Sequence, residues 1–197
     1  MYKNIIFDVG EVLFGYQWIG ALEQAGPSHE VAKVLGPQLF DDPLWKELDL
    51  GVRPYFEVVE EMASKHPEYH DAVVEFLTRV ERMPLARPKV WEEVHRLKEK
   101  GYKIFVLSNY SEYMFGIHTK NRPFLADLDG AMVSYMIHVN KPDARIYQAL
   151  LEKYGLNPEE CLFFDDRPEN TAGAIACGID AITVTGEDFL IGQLRKL

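Results

Sequence analysis

The chain has few cysteines, no basic cluster and no long apolar run. Cys161 and Cys177 are the only cysteines among 197 residues, and neither belongs to a Cys-x-x-Cys pair or has histidines nearby, which argues against a disulfide framework or a zinc site. Lysine and arginine number 21 against 31 acidic residues, a net charge of -10, so nucleic acid and anionic membranes make poor partners. No stretch approaches the roughly 18 apolar residues of a membrane span. The first apolar segment is interrupted at Asp8, too early for the core of a signal peptide. Together these absences predict a cytoplasmic protein with neither a membrane nor a nucleic-acid partner. Internal repeats and low-complexity segments are missing as well.

What is present is enough apolar material for a real core, 47% of a chain whose length suits one domain plus an insertion. Five short apolar runs, residues 4–8, 103–107, 131–135, 161–165 and 180–184, lack the alternation of a half-exposed strand and fit a parallel sheet buried on both faces. Helical patterns separate the later runs. "RPKVWEEVHRLKEKG" places Val90, Val94 and Leu97 on one face and stops at Gly101; "KPDARIYQALLEKYG" places Ile146 and Leu150 and stops at Gly155; "DRPENTAGAIACG" is a shorter version ending at Gly178. Alternating strand and helix predicts an α/β fold, a doubly wound, mostly parallel Rossmann-like sheet. Residues 16–82 break the alternation. "PYFEVVEEMASKH", with Phe56, Val59 and Met62 on one face, and "DAVVEFLTRVERM" have helical spacing, so the expected division is a core of 1–15 and 83–197 with an all-helical cap of 16–82.

Ligands of open α/β sheets bind beyond the carboxyl ends of the strands, so the residues there are the ones to inspect. The first run ends in Asp8 ("IIFDVGEVLF"), the second in Ser108 and Asn109 ("FVLSNY"), the third leads to Lys141 ("HVNKPDARIY"), and the fourth ends in Asp165 and Asp166 ("LFFDDRPEN"). Each has an ordinary explanation alone: a turn former, a helix cap, a surface lysine. All of them on one rim do not. Gathered carboxylates need a compensating cation; Lys141 supplies one charge, and a hard divalent ion bound by oxygens would supply the rest. A hydroxyl, an amide and an ammonium beside such an ion form a cradle for phosphate, with a carboxylate facing it as nucleophile.

FDVG, LSN, KPDARIYQ and FFDDRPEN, in this order and spacing, resemble the motifs of the haloacid dehalogenase superfamily over residues 3–185, and their wording is similar to that of its small bacterial sugar-phosphate phosphatases. The resemblance implies a Mg2+-dependent phosphohydrolase whose nucleophile, Asp8, forms an aspartyl-phosphate. It implies that Ser108 and the Asn109 amide hold the phosphoryl oxygens and that Lys141 neutralises both phosphoryl group and nucleophile. Asp166 would be the main side-chain ligand of Mg2+, Asp165 a second or outer ligand, Asp8 and the Gly10 carbonyl the others, and Asn170 would orient a water. The substrate would be a small phosphorylated metabolite, and the protein a monomer or weak homodimer.

One position departs from the family pattern. Most phosphatases of the superfamily carry, two residues after the nucleophile, an aspartate that protonates the leaving oxygen; here that residue is Gly10. The neighbouring Glu11 is a candidate to reach around in its place. Two other readings share the missing acid, a 2-haloacid dehalogenase using the same aspartate and an inactive phosphate-binding scaffold. "GEVL" after Val9 differs from the tyrosine-glycine-threonine those dehalogenases tend to show. In the cap, Tyr16, Trp18, Trp45, Asp49 and Arg53 are expected to face the substrate, with aromatic rings beside a carboxylate and an arginine suiting a hydroxylated sugar. Trp45 has cap core as its equal alternative. Tyr110 and Tyr113 are either rim or packing residues. His66 and His70 flank Pro67 without a third ligand and read as solvated, and His138 reads as a loop residue.

Overall fold

The computed structural model describes residues 1–197. The chain opens with β1 (Asn4–Phe7), turns at Asp8 and forms the short β2 (Phe14–Tyr16). Five helices follow, α1 (Trp18–Gln24), α2 (His29–Asp41), α3 (Pro43–Leu50), α4 (Tyr55–Ser64) and α5 (His70–Thr78), before β3 (Pro84–Ala86). The remainder alternates: α6 (Pro88–Glu99), β4 (Lys103–Ser108), α7 (Glu112–Thr119), β5 (Gly130–Val133), α8 (Ser134–Ile137), α9 (Ala144–Tyr154), β6 (Cys161–Asp165), α10 (Pro168–Ala176), β7 (Asp180–Thr183) and α11 (Glu187–Leu194). No helix is long and apolar enough to cross a membrane.

The main sheet has the order β5-β4-β1-β6-β7 and every pair in it is parallel. Side chains alternate across it: Ile5 and Phe7 join the apolar cluster on one face, Ile6 the cluster on the other. Burial on both faces is why these strands read as continuous apolar runs. The chain moves from β1 outward through β4 to β5, then returns to build β6 and β7 on the other side. The carboxyl ends of β1, β4 and β6 therefore border the topological switch point, where such sheets bind ligands.

β2 and β3 form a two-stranded antiparallel ribbon, Phe14 opposite Ala86 and Tyr16 opposite Pro84, from which the helical insertion hangs. The insertion is firmly seated. One apolar cluster runs without a break from Ile5 and Phe7 of the sheet through Leu22, Leu39, Met62 and Phe76 of the inserted helices. Phe56 departs from the expected pattern, being 56% exposed, because α4 buries Val58, Val59, Met62 and Ala63 instead. Its ring lies edge-on to Tyr113, centroids 5.1 Å apart.

Candidate active site

β1, β4, the segment before α9 and β6 each deliver one part of a buried polar cluster. Asp8, one residue past β1, is fixed by its backbone N–H donating to Phe164 at 2.8 Å. Its Oδ1 accepts from the Ser108 hydroxyl at 2.6 Å and lies 3.0 Å from the Lys141 ammonium. Lys141 is fully buried at its side chain and also donates to Asp165 at 2.5 Å and to the Leu107 carbonyl at 2.9 Å. Asn109 clamps the lysine's backbone from both sides: its amide donates to the Lys141 carbonyl at 3.0 Å and its oxygen accepts the Lys141 N–H at 2.7 Å. Asp165 is fully engaged, taking the Asn170 amide at 3.0 and 3.1 Å and the Arg167 N–H at 2.8 Å besides the lysine. The half-buried Asp166 has no side-chain partner beyond its own backbone N–H.

Carboxylate oxygens of Asp8, Asp165 and Asp166 lie within 4.8 Å of one another. The cluster is short of positive charge. Burial pushes Asp8 up to about 6, the Asp165 carboxylate adding to the push and Lys141 and Ser108 opposing it. Burial followed by the charges of Asp8 and Asp165 takes Asp166 up to about 7. An all-oxygen donor set with surplus negative charge fits a hard divalent cation such as Mg2+. The partner-free Asp166 is open to ligate it, while Asp165 has its oxygens occupied by protein donors.

Strand order, site geometry and family comparison agree. The family model for haloacid dehalogenase-like hydrolases matches residues 2–178. The chain belongs to this family. Among the hydrolases it is similar to are phosphatase MT3486 of Mycobacterium tuberculosis, 29% identical with 91% of this chain and 86% of that protein aligned, and the (S)-2-haloacid dehalogenase 4A of Burkholderia cepacia, 29% identical over 50% of this chain and 43% of that one. A fold neighbour is the HAD family enzyme bt-2542 of Bacteroides thetaiotaomicron, solved with magnesium and inorganic phosphate: TM-score 0.75, 21% identity, 94% of this chain and 96% of that one.

Not every expected residue of this hydrolase reaches the rim. Arg53 directs its guanidinium to Glu47 at 3.0 Å and Glu61 at 2.7 Å, two ion pairs on the cap surface rather than a contact with the cluster. Trp45 and Trp18 both set their rings edge-on against Phe40, centroids 4.9 and 5.4 Å away, as cap interior. Gly36 is needed beneath Trp18, because a Cβ there would overlap the indole. Glu11 is also turned away: its carboxylate accepts the Tyr16 N–H at 3.1 Å and pairs with Arg87 at 2.8 Å. His70 pairs with the surface residues Glu60 and Asp71 at 2.9 and 3.1 Å. His138 docks the cap, its Nδ1–H donating to the Leu50 carbonyl at 2.7 Å.

Tyr16 and Asp49 do face the cluster. The Tyr16 hydroxyl lies 3.5 Å from where a Cβ on residue 10 would stand, in the volume that an aspartate there would claim. It hydrogen-bonds Tyr110, whose hydroxyl bonds His118 Nδ1 at 2.7 Å, while His118 Nε2 bonds the Val80 carbonyl at 2.7 Å. Sequence reasoning missed this relay, whose members are joined only by folding. Asp49 is half-buried, and burial followed by the charge of Asp8 raises its carboxyl to about 7, against Lys141 and Arg167.

Proposed function

We propose that this hydrolase is a Mg2+-dependent phosphomonoesterase that acts on a small hydroxylated metabolite phosphate of the sugar-phosphate class through an aspartyl-phosphate on Asp8. The observation that carries the reading is the buried Lys141 ammonium bonded to both Asp8 and Asp165, with Asp166 beside them free of protein partners. One lysine against three carboxylates leaves room for a divalent cation and a reason for one. Its likeness to a phosphatase over most of both chains supports the same reading.

Asp8, Asp166 and the Gly10 carbonyl would hold the ion, with Asp165 behind them. Mg2+, when bound, supplies charge that offsets the phosphoryl oxygens and the crowded carboxylates. Asp8 attacks phosphorus in line and the ester oxygen departs with its bond electrons. Lys141 lowers the cost of bringing the Asp8 carboxylate to an anionic group, Ser108 fixes the attacking carboxylate's orientation until its hydroxyl turns to a phosphoryl oxygen, and the Asn109 backbone N–H receives another. Water then attacks the acyl phosphate, releasing inorganic phosphate and restoring Asp8. Tyr16 and Tyr110 contribute hydroxyls near the cluster, which suits a substrate rich in hydroxyl groups.

A second reading, 2-haloacid dehalogenase, has two observations in its favour: the partial likeness to a dehalogenase and the missing acid at Gly10, which a departing halide does not need. One assay separates them. Purified protein is offered sugar phosphates, nucleotides, an aryl phosphate and 2-haloacids, each with Mg2+ and with chelator. Mg2+-dependent phosphate release is expected; halide release insensitive to chelator would instead establish the dehalogenase.

A further inference from the structure

Cleaving an alkyl phosphate ester requires a proton for the departing oxygen, and residue 10 cannot give one. The hydrogen bonds around Asp8 remove the neighbouring donors one by one. Glu11 faces Arg87. Ser108 gives its proton to Asp8, and the Lys141 ammonium is committed to Asp8, Asp165 and Leu107. Arg167, paired with Glu169 at 2.8 Å, is too weak an acid.

Tyr16 occupies the acid's place, but the polarity of its relay rules it out. The Val80 carbonyl only accepts, so His118 Nε2 carries the proton. Burial holds His118 down at about 4, hence neutral, so Nδ1 accepts and Tyr110 must donate to it. The Tyr110 oxygen then accepts from Tyr16. Tyr16 thus turns its proton away from the site and a lone pair toward it.

Asp49 remains. It is the penultimate residue of α3, and its carboxyl has neither a hydrogen-bond nor an ion-pair partner, although it faces Asp8, Lys141 and Arg167. Its backbone, by contrast, is held in place. Ser134 Oγ donates to the Asp49 carbonyl at 2.5 Å, and His138 to the next carbonyl. Gly51 ends the helix at φ 62°, where a Cβ would also stand 3.0 Å from that of Tyr135. Such anchoring of the main chain beside an unpartnered acid is what a positioned proton carrier requires.

We propose that Asp49, delivered by the cap, is the general acid–base of this site in place of the absent residue-10 carboxylate. The proposal rests on the phosphohydrolase reading. As the Asp8 oxygen bonds to phosphorus and the ester P–O bond breaks, the Asp49 carboxyl gives its proton to the departing oxygen. The resulting Asp49 carboxylate then takes a proton from the water that attacks the acyl phosphate, which restores both groups. The groups facing Asp49 are Asp8 after β1, Lys141 before α9, Arg167 ahead of α10, Tyr55 of α4 and Tyr110 after β4. Its burial favours the proton-carrying form of the carboxyl, as a donor to the departing oxygen needs.

The test compares wild type, Asp49→Asn and Asp49→Glu on an alkyl sugar phosphate and on dinitrophenyl phosphate, whose leaving group needs no proton. Thermal melting verifies the fold of each variant. For Asp49→Asn, kcat/KM is expected to fall roughly 10²- to 10⁴-fold on the alkyl ester, to fall less on the dinitrophenyl ester by about tenfold or more, and to recover in part with glutamate. Equal loss on both substrates, or no loss on either, would overturn the assignment. Wild type inactive toward both esters would overturn the phosphohydrolase reading, and this inference with it.

Discussion

His118 should make the stability of this protein fall steeply in mild acid. The imidazole is 1% exposed, and burial holds it down at about 4 against its ordinary 6.5, the Arg122 charge assisting and the Val80 carbonyl and Glu81 opposing. At about 1.4 kcal/mol per tenfold change in proton affinity, the difference is worth about 3 kcal/mol, a sizeable share of a domain's stability. Because the folded value is depressed, the unfolded chain binds more protons between the two values. The contribution is complete above pH 6.5 and is lost as pH falls through about 4. The control is His118→Gln, whose amide can donate to Val80 and accept from Tyr110 without titrating. Urea denaturation of both proteins from pH 7.5 to pH 4 isolates the term, since the carboxylates cancel in the difference. The wild type should lose about 1 kcal/mol per pH unit relative to the variant near pH 5. Parallel curves would show that His118 is not held neutral, and with it would fall the polarity assigned to the Tyr16–Tyr110–His118 relay.

Two further substitutions probe the site. Lys141→Met leaves Asp8 and Asp165 buried without their ammonium and should cost about 3–5 kcal/mol in chelator, with part of the loss regained on adding Mg2+; a loss below about 1 kcal/mol in urea denaturation would contradict the ion-pair geometry. Gly10→Asp places a Cβ 3.2 Å from the Tyr16 ring. It should destabilise by about 1–3 kcal/mol without raising turnover of alkyl phosphates, and removing the ring as well, in Gly10→Asp/Tyr16→Ala, should relieve the strain; unchanged melting temperature in the single variant would show that the space is free.

The strands were legible because both faces of the sheet are covered, which leaves Ile5, Ile6 and Phe7 equally apolar. The ribbon of β2 and β3 was not, because three residues that include Gly15 on one side and Pro84 on the other carry no strand period. Nor was α2, whose interior holds Pro37 next to Gly36, residues that ordinarily end a helix. The rim of the site could be proposed from chemistry alone, since Asp8, Ser108 and Asp165 each close an apolar run and Lys141 follows the third run by a short segment. The cap was legible only in part: Tyr16 and Asp49 were expected to face the substrate and do face the cluster, but which face of a short amphipathic helix meets the sheet is decided by tertiary packing. Arg53 therefore looked like a ligand when it is a surface ion pair, while Asp49, four residues earlier, faces the cluster.

The central claim is a covalent phosphoryl group on Asp8, and rapid acid quench during turnover of an aryl phosphate, followed by mass spectrometry of the peptides, tests it most directly. The expected result is one phosphoryl group on the peptide from the N-terminal strand, assigned to Asp8 by fragmentation and absent in Asp8→Asn, which should release no phosphate. Phosphate release by wild type with the label on another residue, or undiminished release by Asp8→Asn, would contradict the account.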